Sequence, residues 1–285
     1  MRTRRIGDID VSEIGLGAMP MSIEGRPDET RSIATIHAAL DAGVTLIDTA
    51  DAYHLYANDV GHNESLIARA LASYGGDTSG VLVATKGGHL RPGDGRWTQD
   101  GSPEHLRAAC DASLARLGVD AIGLYQFHRP DRRVPYEDSV GVLAELLTAG
   151  KIRMAGISNA NPEQIQLANK ILGGRLVSVQ NEFSPSFRSS EPELALCHEM
   201  GIAFLPWSPL GGSGHVKRLG ELHPAFGAVA KELGVSPQRV CLAWMLAKAP
   251  EVIPIPGASR PESILDSIAA SDLTLTADQL ATLEA

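Results

Sequence analysis

Short apolar runs rich in β-branched residues alternate along this chain with longer segments whose apolar residues recur at helical spacing. That alternation predicts repeated βα units around a parallel sheet. The runs lie at residues 14–18, 45–50, 81–86, 122–128, 154–158, 177–181, 203–208 and 252–256. A helical segment follows each run, and several carry boundary signals. Ser102-Pro103-Glu104 opens the third helix and Gly118 closes it, Asn161 caps the fifth before Pro162, and Gly201 ends the sixth. No Gly/Ser linker or charge block divides the eight units, so the expected fold is α/β, a single (β/α)8 TIM barrel with residues 1–285 as one domain. Three segments fall outside the count. Residues 5–11, with the turn pair Gly7-Asp8, predict an N-terminal hairpin that plugs the barrel bottom; residues 236–249 predict an extra helix after strand seven; residues 276–283 predict a closing helix.

Composition agrees with a packed enzyme-sized core. The 285 residues are 44% hydrophobic and 21% charged, which excludes disorder as the main theme and allows about 36 residues per unit. Lys plus Arg number 25 against 34 Asp plus Glu, a net charge of −9 with no basic stripe, so small-molecule chemistry is favoured over nucleic-acid binding. Cys110, Cys197 and Cys241 are too widely spaced for a disulfide framework or paired metal ligands. Met1-Arg2-Thr3-Arg4-Arg5 leads into polar sequence rather than the apolar core of a signal peptide, and no run reaches the roughly 18 apolar residues of a membrane span. A soluble, cytoplasmic protein with no membrane partner is expected.

In such a barrel the chemistry belongs at the C-terminal ends of the strands. Strand two ends in Asp48-Thr49-Ala50 and leads to Tyr53, strand three ends on Lys86, and strand four on His128. Taken singly, a strand-end Asp, Lys or His is most often a cap or turn residue. Consecutive strands that each end on an ionisable group point to a shared site. A carboxylate, a phenol, an ammonium and an imidazole suit proton donation to a substrate oxygen, with Lys86 lowering the pKa of Tyr53, Asp48 keeping Lys86 charged, and His128 orienting a carbonyl. Rival motifs are missing. Gly15-Leu16-Gly17-Ala18-Met19-Pro20 puts proline where a Rossmann fingerprint needs its third glycine, and there is no P-loop, no His-Glu-x-x-His and no Gly-x-Ser-x-Gly.

At these residues the sequence resembles the aldo-keto reductase family. Asp48, Tyr53, Lys86 and His128 match its four catalytic residues in order, and Asn63-Glu64-Ser65-Leu66-Ile67, Gly156-Ile157-Ser158-Asn159, Val179-Gln180-Asn181 and Ile255-Pro256-Gly257 are similar to family text. The resemblance implies a barrel that binds NADPH, with NADH as the other candidate, without a Rossmann domain. It implies that Ser158, Asn159 and Gln180 hold the carboxamide and that Trp207 stacks on the nicotinamide. Ser208, Pro209, Leu210 and Gly212 would follow the pyrophosphate, with Lys217 either closing that loop by charge or simply exposed. At the adenosine end, Gly257-Ala258 replaces the lysine and serine of many members, and Ser263 replaces an arginine. Ser259 and Arg260 then stand nearest the 2′-phosphate, and Asp266 and Ser267 stand where Glu and Asn often contact adenine.

The function implied is reduction of aldehydes and ketones, with Tyr53 as proton donor. Short loops suggest a permissive pocket, compensated in part by the long loop at 87–101, whose Arg91, Arg96 and Trp97 either line the rim or simply lie in solvent. An alternative is an NADP(H)-binding, redox-sensing regulatory subunit with little turnover. A metal-dependent hydrolase or lyase would need a ligand cluster that the strand ends lack.

Overall fold

The computed structural model describes residues 1–212 and 214–284; Ser213, in the glycine-rich loop named above, and Ala285 lie outside the described residues. An antiparallel hairpin, β1 (Thr3–Ile6) and β2 (Ile9–Ser12), comes first. The chain then alternates between strand and helix: β3 (Leu16–Gly17), α1 (Glu29–Asp41), β4 (Leu46–Asp48), α2 (His62–Ser73) and β5 (Leu82–Gly87). A second small hairpin, β6 (His89–Leu90) and β7 (Thr98–Gln99), precedes α3 (Pro103–Leu117) and β8 (Ile122–Phe127). Next come α4 (Tyr136–Thr148), β9 (Ile152–Ser158), α5 (Pro162–Ile171), β10 (Leu176–Gln180), α6 (Glu191–Met200) and β11 (Ala203–Phe204). Helices α7 (Leu219–Leu222), α8 (Pro224–Leu233), α9 (Pro237–Leu246), α10 (Pro261–Ile268) and α11 (Ala277–Glu284) complete the chain.

Strands β3, β4, β5, β8, β9, β10 and β11 pair in parallel in that order. Residues 252–257 close the ring, bridging Val252 to Phe204 on one side and Gly257 to Gly17 on the other. Ile253 N donates to Phe204 O (2.8 Å), while Gly15 N and Gly17 N donate to Pro254 O (2.9 Å) and Pro256 O (3.0 Å). This eighth run does not pair as a regular strand because Pro254 and Pro256 lack the N–H groups that would have faced β3. The result is a (β/α)8 barrel with a sparse seam.

The barrel interior is filled by alternate strand residues, among them Leu46, Leu82, Ala84, Leu124, Met154, Leu205, Ile253 and Ile255, all buried. Ile6 and Val11 of the first hairpin join this cluster, so the hairpin seals one end of the barrel. Arg4 fastens it there by donating to Val252 O at 2.7 Å and Ala249 O at 2.5 Å. Burial of each large aliphatic side chain contributes about 1.5–3 kcal/mol. The helix signals read from the sequence are physical: Asn161 and Gln164 form a reciprocal capping box on α5, and Ser102 caps α3. The extra helix expected at 236–249 is α9, and the closing helix is α11. The hairpin β6–β7 was not foreseen, because two-residue strands carry no periodic signal. Among the described residues no helix is long and apolar enough to cross a membrane.

Candidate active site

Parallel register aligns the strand ends. Asp48 is the last residue of β4, Lys86 lies at the end of β5, and His128 follows β8 with its N–H on Gly87 O (2.9 Å). The structure brings the four expected residues together. Lys86 is wholly buried, and its Nζ donates to Asp48 Oδ1 (2.6 Å), Thr49 O (2.8 Å) and Tyr53 OH (3.1 Å). Three acceptors match the three protons of an ammonium. The other Asp48 oxygen accepts from Gln180 Nε2 at 2.8 Å. The His128 ring meets Tyr53 edge-on, with centroids 5.8 Å apart, and its buried Nδ1 has no partner among the described residues.

Electrostatics corrects one expectation. The Tyr53 phenol is raised above its ordinary pKa, not lowered: burial is the largest cause, and the charge of Asp48 adds to it, outweighing Lys86. For Lys86, burial opposes the charge, but the nearby Asp48 and Tyr53 outweigh it and raise the pKa, so the ammonium persists. His128 is pushed well below the usual imidazole range, first by burial and then by Lys86, His89 and Arg129, so it is neutral at pH 7 and has one N–H to offer. Behind this layer, Glu64 accepts from Thr85 Oγ1 and Arg116 Nη1, both at 2.6 Å, while burial and the charge of Glu64 push the Asp51 carboxyl well up.

The residues expected to hold a nucleotide lie on the same face, from the end of β9 round to α10. Ser158 Oγ donates to Gln180 O (2.6 Å) and accepts from Asn159 Nδ2 (2.9 Å), which also reaches His128 O (2.9 Å). These side chains are thus locked together, and Gln180 is further pinned to Asp48. Trp207 hydrogen-bonds through its backbone to Asn181 O (3.0 Å), and its buried indole N–H has no acceptor among the described residues. Asn159 (φ 58°) and Ser208 (φ 49°) adopt left-handed backbone, a conformation costing on the order of 1–3 kcal/mol in a non-glycine residue and characteristic of ligand clamps. Pro209 and buried Leu210 lead into Gly212, also left-handed at φ 79°. Lys217 is exposed.

At the far end, Gly257 is exposed beside half-buried Ser259, and Arg260 is exposed with, among the described residues, only Nε engaged, on Ser263 Oγ (2.7 Å). Asp266 is engaged within the protein. Its two oxygens accept from Arg239 (2.7 Å) and Ser236 (2.5 Å), so it ties α10 to α9 rather than standing free. An orphaned indole N–H, left-handed backbone at Asn159 and Ser208 and an available guanidinium fit a bound dinucleotide. Trp207 would meet the ring, residues 208–212 the pyrophosphate, and Arg260 the 2′-phosphate.

A family model described as the aldo/keto reductase family matches residues 13–285. The chain belongs to the aldo/keto reductase family. With the family comes the class of NAD(P)H-dependent oxidoreductases. This family member is 36% identical over 269 residues to a 6-dehydroglucose reductase of Novosphingobium aromaticivorans, covering 90% of this chain and 86% of the other. It is 35% identical over 286 residues to an uncharacterized oxidoreductase of Schizosaccharomyces pombe, covering 99% and 89%. Two solved structures share the fold of this reductase. The glycerol dehydrogenase of Gluconobacter oxydans has TM-score 0.83 at 27% identity, and an aldo/keto reductase of Klebsiella pneumoniae in complex with NADP and acetate has TM-score 0.81 at 26%. Each match covers 99% of this chain and 94% of the other.

The reductase also places at the mouth His89, which sequence reasoning did not assign, beside the rim residues that it did. His89 stacks on Trp97 (centroids 4.8 Å, 29°) and meets His128 edge-on (4.8 Å, 79°). Gly88, at φ 99°, makes the turn that delivers His89, and the Gly87-Gly88 pair was the available signal. Arg91 packs on Trp97, donates to His54 O (2.6 Å) and pairs with Glu24, tying three loops of the rim together. Arg96 stays in solvent, paired with Asp94 at 2.6 Å.

Proposed function

We propose that this protein reduces aldehydes and activated ketones to alcohols with NADPH, residues 1–285 acting as one barrel domain in a reducing, cytoplasmic setting. The observation that carries this reading is the buried Lys86 Nζ shared between Asp48 (2.6 Å) and Tyr53 (3.1 Å). When bound, the nicotinamide supplies the hydride that the carbonyl carbon accepts. Tyr53 donates its hydroxyl proton to the carbonyl oxygen, and Lys86 stabilises the phenolate left behind. Asp48, held by Gln180, keeps the ammonium charged and in place. Neutral His128 donates a hydrogen bond that orients the carbonyl oxygen beforehand. Tyr53 regains a proton before the next turnover.

Cofactor contacts are assigned to Ser158, Asn159, Gln180, Trp207, the 208–212 segment and Gly257 to Arg260, with Asp266 acting through Arg239 rather than as a free acceptor. The phenol linked to a buried ammonium favours turnover over a sensing subunit, because binding alone does not require a proton donor. The buried free cysteines Cys110, Cys197 and Cys241 support a reducing compartment. NADPH oxidation followed by absorbance with 4-nitrobenzaldehyde tests the reading. Turnover that disappears in Tyr53→Phe is expected; full activity in that variant would overturn the mechanism.

A further inference from the structure

Arg129 follows His128 where the chain leaves β8, and it is half-buried. Its side chain crosses the mouth to the end of β9, where one Nη2 donates to Asn159 Oδ1 at 2.9 Å. A guanidinium carries five N–H donors, and among the described residues this is the only one with a protein acceptor. Three other cations around the mouth are matched by carboxylates: Lys86 by Asp48, Arg91 by Glu24, Arg133 by Asp131. Among the described residues no carboxylate lies within 4 Å of Arg129. The acidic group it senses, half-buried Glu182, is beyond ion-pair distance and is itself pushed towards its neutral form by burial.

The histidines beside Arg129 do not dilute its charge. His128 and His89 are both neutral at pH 7, and the charge of Arg129 helps keep them so. Arg129 therefore stands at the mouth as a positive charge without an ion-pair partner among the described residues, partly desolvated and next to the residue that orients the carbonyl. Half-buried charge without a partner is costly, and an incoming anion relieves that cost. The loop it opens adds exposed Arg132, extending the same sign outward.

Resting on the reductase reading above, we propose that Arg129 is an anion subsite of the substrate pocket and that the preferred carbonyl substrates carry a carboxylate away from the reacting carbon. The planar fork suits a carboxylate held through two N–H groups. The substrate carboxylate takes donors that Asn159 leaves free, so substrate and the Asn159 contact coexist.

The experiment compares 4-carboxybenzaldehyde with 4-nitrobenzaldehyde in wild type, Arg129→Met and Arg129→Lys. The ratio of kcat/KM for the carboxylate over the neutral aldehyde is expected to fall by roughly ten- to a hundredfold in Arg129→Met, mainly through KM, and to recover in part in Arg129→Lys. An unchanged ratio overturns the proposal, including the case where both substrates lose equally, which would assign Arg129 to holding Asn159 alone. If neither aldehyde is turned over, the reductase reading fails and the subsite is still decided by calorimetry with benzoate in the presence of NADPH. Binding to wild type that is lost in Arg129→Met supports the subsite, and equal or no binding in both overturns it.

Discussion

Two regions of one barrel face differ in how complete they are. Around Lys86 every proton of the ammonium has an acceptor, both oxygens of Asp48 are held, and the group is sealed from solvent. From Trp207 to Arg260 the opposite holds: an indole N–H without an acceptor, left-handed Ser208, and an exposed guanidinium with one engaged nitrogen. The first region holds its own geometry, and the second is shaped for something that arrives. Removing a charge from the first should therefore damage fold and chemistry together, whereas substitutions in the second should chiefly alter ligand affinity.

The sharpest break is Lys86→Met. It leaves buried Asp48 without its countercharge, so thermal or denaturant unfolding should show a loss of about 3–5 kcal/mol, together with loss of turnover. Tyr53→Phe separates the two effects. Lys86 keeps two acceptors, so stability should hold within about 1 kcal/mol, while kcat falls by about 10² to 10⁴. A melting point lowered as far as in Lys86→Met would contradict the separation.

Acid provides the next test. His89, beside Trp97 and His128 and repelled by Arg129 and Lys86, is lowered from 6.5 to about 4, with burial the largest cause. Between those values the unfolded chain binds a proton that the folded chain does not, so stability rises with pH across the window and is lost as pH falls from 6.5 to about 4. The contribution of His89 is up to about 3 kcal/mol, and His89→Phe should flatten the urea-unfolding profile in that window. The smallest effect belongs to the second region. Arg260→Ala should leave the melting point unmoved and weaken NADPH binding by roughly tenfold or more, read by tryptophan fluorescence, with NADH binding little changed.

Much of the fold was legible because apolar runs and helix caps are local. The eighth strand was legible as a run, but its irregular pairing follows from where two prolines point, which depends on neighbours more than 200 residues away. The quartet proposed as catalytic was legible because strand ends share one face in a barrel. The pKa direction of Tyr53 was not, since it depends on how completely the barrel buries the phenol. The tie from Asp266 to Arg239 was not legible because the partner lies on a different helix, and Arg129 went unassigned because a cation is only conspicuous once the surrounding carboxylates are known to be paired elsewhere.

The seam at residues 252–257 has a consequence for how the chain reaches this shape. Gly17 bridges Gly257, 240 positions later, so the ring cannot shut until almost all of the chain has left the ribosome. Until then β3 and β11 are both unprotected margins of a growing sheet, able to pair with a neighbouring chain. The late arrival of a segment carrying Pro254 and Pro256 means that the final strand to dock brings few donors of its own and relies on the N–H groups of Gly15 and Gly17, already waiting on the first.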